Sequence, residues 1–229
     1  MSGLPPAALI FDMDGLLVDS EPLWLQVVQA FCRARGFTWT KEHHAGCVGG
    51  GLRATLSATG ERFGFAVEHE RDVAAVVDDF IGSVGGLALK PGAAELLAAA
   101  ALAGLPTALA SSSPHRLIAA VLERFDLRPR FQAVVSGDDV AHPKPAPDIF
   151  LRAAAALGVP PARCAVLEDS LAGVTAGRAA GMIVVAVPEG PWEGRGFEAL
   201  ADVCLPSLEH AHRWLGIAAP AAATAAGDP

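Results

Sequence analysis

At three places the sequence sets acids or hydroxyls directly after a short apolar run, and a lysine lies in the loop that follows a fourth. Asp12 and Asp14 follow Ala8-Leu-Ile-Phe11 as Asp-Met-Asp-Gly. Ser111, Ser112 and Ser113 follow a run ending at Ala110, and Glu168 and Asp169 follow Ala165-Val-Leu167. Lys144 sits in the loop His142-Pro-Lys-Pro145, beyond a further run at Ala133 to Val135. In extended backbone, residues two apart point to the same side, so Asp12 and Asp14 are expected to converge above the end of their strand. Carboxylates gathered at one edge repel one another. At ~4 Å and an effective dielectric near 20, each close pair costs about 4 kcal/mol. Such a cluster needs positive charge. Oxygen ligands with no His or Cys beside them suit a hard cation, most simply Mg²⁺. Lys144, one of only three lysines with Lys41 and Lys90, supplies a second positive charge. A cation, a lysine and a row of serine hydroxyls suit an anion with several oxygens, and a phosphoryl group fits that description.

Each piece alone has a plainer reading. Asp-x-Asp after a strand is often a turn. Asp-Ser before a helix is usually an N-cap, and a lysine in a proline-rich loop is usually solvated. Their joint occurrence at successive strand ends argues for one site.

The elements that would position these residues are legible in the apolar pattern. The runs Ala8 to Phe11, Thr107 to Ala110, Ala133 to Val135, Ala165 to Leu167 and Ile183 to Val187 are continuous rather than alternating, with a weaker run at Val203 to Leu205. Strands of a parallel sheet covered on both faces read this way. Helix-like stretches separate them. Ser113-Pro114 reads as an N-cap followed by a first-turn proline, and Gly158 and Gly181 sit where helices should stop. Alternating strands and helices imply a doubly wound α/β sheet, in which ligands bind beyond the carboxyl ends of the strands. One interval breaks the rhythm. Roughly ninety residues separate the first run from the second, where a crossover needs about a dozen. Helices are expected there at Glu21 to Arg35, Leu52 to Phe63 and Glu68 to Val84, so the interval reads as an inserted helical domain. The expected division is a core of 1–17 and 88–216, an insert of 18–87 and a loosely packed Ala/Pro-rich tail of 217–229.

The segments FDMDGLLVDSEPLW, ASSS, HPKPAPDIF and VLEDSLAG resemble, in order and spacing, the four motifs of the haloacid dehalogenase superfamily. The insert resembles the helical cap of its β-phosphoglucomutase-like branch. The resemblance implies a Rossmann-like α/β core under an α-helical cap, Mg²⁺ as cofactor and an aspartyl-phosphate mechanism. By position, Asp12 resembles the nucleophile. Asp14 resembles the general acid/base, with its backbone carbonyl on the metal. Ser111 matches the hydroxyl that holds the phosphoryl group, Lys144 the lysine that steadies it, and Asp169 a metal ligand. Glu168 is either a second ligand or its outer partner. Such a pair splits a hard hydrolysis into two easier steps, with one carboxylate attacking and the other moving protons.

Within the superfamily, Asp14 argues against the dehalogenases, which have no second aspartate there. The phosphonate-cleaving branch uses a cap lysine, and only Lys41 lies well inside this cap. The mutases carry a histidine where Trp24 stands, with an arginine and a lysine for a second phosphate. The SEPLW wording is more like the sugar-phosphate phosphatases. Arg53, in Gly-Gly-Gly-Leu-Arg, remains a candidate cap contact. Gly50 and Gly51 are expected in a cap loop facing the site, Ser112 beside the phosphate, and Trp24 in the cap core or the pocket wall. The expected activity is a phosphoric monoester hydrolase acting on small phosphorylated metabolites, with a phosphosugar mutase or a non-catalytic regulatory domain as alternatives.

Composition bounds the partners. A formal net charge of −8 argues against nucleic acid and anionic lipid. The longest apolar stretch, Leu96 to Ala110, is interrupted by Gly104 and Pro106, and no signal-peptide pattern opens the chain. Cys32, Cys47, Cys164 and Cys204 are scattered, as in a cytoplasmic protein with reduced thiols, and a monomer is expected. His43-His44-x-x-Cys47 could bind a transition metal but lacks an evident fourth ligand.

Overall fold

The computed structural model describes residues 5–47 and 51–217. Six parallel strands form one sheet: β1 (Ala8–Phe11), β2 (Thr107–Ser111), β3 (Ala133–Ser136), β4 (Cys164–Glu168), β5 (Ile183–Ala186) and β6 (Val203–Cys204). Their order is β3-β2-β1-β4-β5-β6. All the expected runs are strands. They are apolar throughout because both faces are covered. Alternate residues of β1 serve different layers: Leu9 and Phe11 join one core cluster, and Ala8 and Ile10 the other. The first layer is closed by α5 (Ala93–Leu102), α6 (His115–Arg124) and the short α9 (Ala211–Trp214), and the second by α7 (Asp148–Leu157) and α8 (Leu171–Ala179).

Order and register decide which loops meet. The chain reverses its direction of winding at β1, so β2 and β4 both flank it. Phe11 is level with Leu167 on β4 and with Leu109 on β2. The residues that follow, Asp12, Glu168 and Ala110, therefore stand side by side at the carboxyl edge of the sheet.

Between β1 and α5 lie α1 (Glu21–Arg33), α2 (Lys41–Ala45), α3 (Leu52–Phe63) and α4 (His69–Ser83), with no strand among the described residues. The buried positions of α1 are Leu23, Val27, Val28, Phe31 and Cys32, one face of a 3.6-residue period. Aromatic contacts tie the insert together, with Trp24 against Phe80 and Phe37 stacked on Phe63 at centroid distances of 4.3 and 4.9 Å. The two chain crossings into the insert pair with each other: Asp19 N–H donates to Ala88 O and Lys90 N–H to Leu17 O, both at 2.9 Å.

Three local expectations are corrected. Ser113 does not cap α6. Pro114, in extended conformation, holds the N-cap position, and Asp138 accepts the His115 N–H at 3.1 Å. The Ser113 hydroxyl is drawn instead to Asp14. Residues 41–45 form a helix that the apolar pattern does not announce, because a polar capping box starts it: Thr40 Oγ1 accepts from His43 N–H, and His43 Nδ1 accepts from Thr40 N–H. That use of His43 takes it out of a metal cluster, and the His43/His44/Cys47 set is not among the groups of the described residues with metal-binding geometry. Ile217 departs from the loose tail expected of 217–229, since it is buried against the main core; residues 218–229 lie outside the described residues. Among the described residues no helix is long and apolar enough to cross a membrane, and the four cysteines are free.

Candidate active site

Asp12 continues from β1, its N–H donating to Leu167 O at 3.1 Å. Lys144 reaches it from the loop between β3 and α7. The ammonium has three protons and finds three acceptors: Asp12 Oδ1 at 2.5 Å, Glu168 Oε1 at 2.7 Å and Ala110 O at 3.2 Å. It also lies 4.8 Å from the Phe150 ring centroid. Lys144 is thus fixed by the ends of β1, β2 and β4, and all three charged residues are buried. This answers the solvated-lysine reading.

Glu168 is held on its other oxygen by Ser170, whose N–H and hydroxyl donate to Oε2 at 2.9 and 3.0 Å. The Ser170 hydroxyl also accepts the Gly173 N–H at 3.0 Å and so caps α8. One serine does both the plain and the functional job. Gly173 is needed there: a Cβ would stand 1.7 Å from Glu168 Oε1.

Asp12, Glu168 and Asp169 can bring one oxygen each within 4.8 Å of one another, and this is the group of described residues that could hold a metal ion. Its donors are all carboxylate oxygens, which fits a hard divalent cation. The Asp14 side chain is not in that group. Its Oδ1 accepts from Trp24 Nε1 at 2.9 Å, and its Oδ2 from Ser113 Oγ at 2.8 Å and Ser111 Oγ at 3.4 Å. Gly15, at φ +77°, lets the chain turn between the two halves of the site; a Cβ there would lie 2.2 Å from Asp169 Oδ2.

The electrostatics show a site short of positive charge. Burial pushes the Asp12 carboxyl up to about 8, against the pull of Lys144, and Glu168 and Asp14 push the same way. Burial raises Asp169 well above the usual carboxylate range, with Glu168, Asp12 and Glu21 adding to it. Burial also raises Asp14, opposed by the donors Trp24 and Ser113. For Lys144 burial works against the charge, but Asp12 and Glu168 outweigh it and hold the ammonium above its ordinary value. A divalent cation beside Asp12 and Asp169 would relieve this imbalance.

The pocket over the site is walled below by these residues with Ser111, Ser112 and Ser113, and above by the insert. Trp24 and Gly51 line it as expected. Arg53 does not: it is exposed on α3, and the residues of that helix that line the pocket are Leu52 and Thr55. Gly50 lies outside the described residues. Sequence reasoning missed Glu21, Val28, His44 and Cys47, which line the upper wall. For two of these a signal existed, since Glu21, Trp24 and Val28 follow i, i+3, i+7 spacing and share one face of α1. His44 comes from the capped helix α2, and only the fold brings it to α1.

The comparisons agree with this geometry. A family model for the haloacid dehalogenase-like hydrolases matches residues 6–181. Protein CbbY of Rhodobacter capsulatus is 34% identical over 223 residues, covering 89% of this chain and 94% of that one. Hexitol phosphatase B of Escherichia coli K12 is 37% identical over 216 residues, covering 88% and 92%. The crystal structure of CbbY from Rhodobacter sphaeroides in complex with xylulose-(1,5)bisphosphate superposes with a TM-score of 0.79 at 28% identity, covering 89% of this chain and 95% of that one. With a match over most of its length, and with acid, lysine and hydroxyl groups meeting at the carboxyl edge of the sheet, the chain belongs to the haloacid dehalogenase-like hydrolases.

Proposed function

We propose that the protein is a Mg²⁺-dependent cytoplasmic phosphatase that releases phosphate from sugar or sugar-alcohol monophosphates through an aspartyl phosphate on Asp12. The observation that carries this reading is the buried ammonium of Lys144, bonded at once to Asp12 and Glu168 beside a carboxylate metal site. Hexitol phosphatase B among the relatives supports the substrate class. Residues 18–87 act as the unit that covers the pocket.

In this reading Lys144 holds Asp12 Oδ1, which leaves Oδ2 to attack phosphorus as the ester P–O bond breaks. Asp14 gives a proton to the departing oxygen, and burial shifts its carboxyl in the direction that favours the acid form. Asp14 then takes a proton from the water that attacks the phosphorus, and the bond to Asp12 breaks. Ser111 and Ser112 hold phosphoryl oxygens, with Lys144 as the fixed positive partner. Asp12 and Asp169 would hold Mg²⁺ directly, with the Asp14 carbonyl. Glu168, both of whose oxygens are already engaged, would steady Lys144 from outside that shell. The bound ion supplies charge neutralisation of the transferred group.

Chelation tests the metal. Exhaustive EDTA treatment should stop phosphate release, Mg²⁺ should restore it, and Ca²⁺ should support it poorly because of its looser geometry. The pH dependence has a definite sign. Asp12 has a folded pKa of about 8 against an ordinary value of 3.8, so between these the folded state holds more protons than the unfolded. Stability of the chelated protein should therefore fall as pH rises from about 4 to about 8. Mg²⁺ should raise the melting temperature most at the upper end of that window. Full turnover after chelation, or a Mg²⁺ effect that is flat with pH, contradicts the assignment.

The mutase alternative makes a different demand. A mutase must keep its aspartyl phosphate from water and grip a second phosphate. Here Trp24 rather than a histidine meets Asp14, and Arg53 is exposed and is not among the described residues that line the pocket. Inorganic phosphate should appear steadily from sugar monophosphates without a bisphosphate primer. Following phosphate and phosphosugar isomers together checks this: isomer conversion that outpaces phosphate release and depends on the primer would replace the phosphatase with a mutase.

A further inference from the structure

The upper wall of the pocket holds a polar pair that the reaction steps above leave unused. Glu21 begins α1 and His44 lies in α2, and His44 Nε2 stands 3.2 Å from Glu21 Oε2. Both side chains line the same pocket as Asp12 and Asp14, and both are largely covered, with 13% and 24% exposure for His44 and Glu21. The tautomer is set from behind. The indole N–H of the buried Trp39 points at His44 Nδ1 at a long 3.5 Å, so Nδ1 is the acceptor and Nε2 carries the proton toward Glu21. Glu21 is then a positioned acceptor. Its carboxylate can take further donors, and in the pocket a ligand must bring them. Val28 and Leu52 flank the pair with apolar surface.

The charge of this wall is equally telling. Among the described residues that line the pocket, Lys144 is the one with a permanent positive charge, and it lies at the phosphoryl end. The intervening residues 48–50 are Val-Gly-Gly and add none. A leaving group with a second phosphate or a carboxylate would meet Glu21 with no lysine or arginine to balance it. CbbY from Rhodobacter sphaeroides holds xylulose-(1,5)bisphosphate in its crystal structure; among the described lining residues here no lysine or arginine stands at the end away from Lys144. Carbon-borne hydroxyls match on both counts, because they donate to Glu21 and bring no charge.

We propose that Glu21 and His44 form a hydroxyl clamp that selects phosphate monoesters whose leaving group is a neutral polyol. This inference rests on the phosphatase reading and adds the leaving group to it. Glu21 and His44 touch substrate here as specificity residues and take no part in the transfer of the phosphoryl group.

The test uses the full chain with Mg²⁺ and four probes: a hexitol 6-phosphate, ethyl phosphate, phosphoglycolate and a hexose 1,6-bisphosphate. The wild-type protein should favour the hexitol phosphate in kcat/KM over the other three. The informative quantity is the ratio of hexitol phosphate to ethyl phosphate, since damage to the fold or the metal site lowers both together. His44→Ala and Glu21→Gln should each lower that ratio by about 10- to 100-fold, the worth of hydrogen bonds to a charged acceptor. Glu21→Gln, which keeps the side chain's shape, should also improve phosphoglycolate relative to ethyl phosphate. Should His44→Ala fail to fold, Glu21→Gln gives the same reading. A ratio within about threefold of wild type in the variants, or a wild-type preference for the bisphosphate or phosphoglycolate, overturns the clamp while phosphatase activity stands. Absence of phosphate release from all four probes overturns the phosphatase reading and the clamp with it.

Discussion

Asp12→Asn is expected to abolish phosphate release, by more than about 10⁴-fold, and to leave the fold intact. The loss is large because the nucleophile belongs to a unit: once Asp12 cannot attack, Lys144, Asp14 and the metal have no step to assist. The fold should survive because asparagine has nearly the same shape. Its neutral amide also removes a charge that burial already disfavours. In EDTA at pH 7 the variant should melt no lower than the parent protein, and Mg²⁺ should raise its melting temperature less. Single-turnover assays with acid quench should find no phosphate bound to the variant protein. Substantial turnover by Asp12→Asn would rule out the covalent route and leave Asp12 as a metal ligand only.

Lys144→Met should damage activity and stability together. The lysine supplies the one ammonium bonded to both Asp12 and Glu168, and all three are buried. Removing one partner of a buried ion pair typically costs about 3–5 kcal/mol, because the remaining charge stays uncompensated. Here two carboxylates are left. Loss of a fixed donor at a developing charge costs about 10²–10³-fold in turnover by itself. Misplacement of Asp12 adds to this, so a total of at least about 10³-fold is expected. The two effects can be separated with pH. Acidification protonates the stranded Asp12 carboxyl, which burial pushes up, so the variant's stability deficit should shrink toward pH 5 while its turnover stays low. A variant that is as stable as the parent at pH 8 would show that Lys144 is not the counter-charge of this cluster.

The parts of the site on the sheet could be read from the chain because strand ends have a local signature. An apolar run followed by Asp-x-Asp or Glu-Asp marks where buried backbone meets water, and a parallel sheet aligns all such points on one edge. That logic identified Asp12, Asp14, Ser111, Lys144 and Asp169, and the structure brings them to one edge of one pocket. The helical character of the long interval was legible too, as a stretch too long for a crossover in which no strand pattern could be read. Its three longer helices carry apolar periodicity, and α2, which starts from a polar capping box, does not.

Tertiary structure alone decided the rest. Strand order placed β4 beside β1, which is why Glu168 rather than a residue nearer in sequence shares Lys144 with Asp12. Ser113 and Ser170 could each have been a helix cap; packing sent the Ser113 hydroxyl to Asp14 and gave Ser170 both roles. Arg53, a candidate cap contact, is exposed on α3 and does not line the pocket, while His44, considered only as part of a metal set, faces Glu21 in the pocket. A strand end declares its direction in a handful of residues. Spacing within α1 can group Glu21, Trp24 and Val28 on one face, but the wall of a pocket between separate helices depends on their rotation and crossing, which long-range contacts such as Trp24 on Phe80 determine.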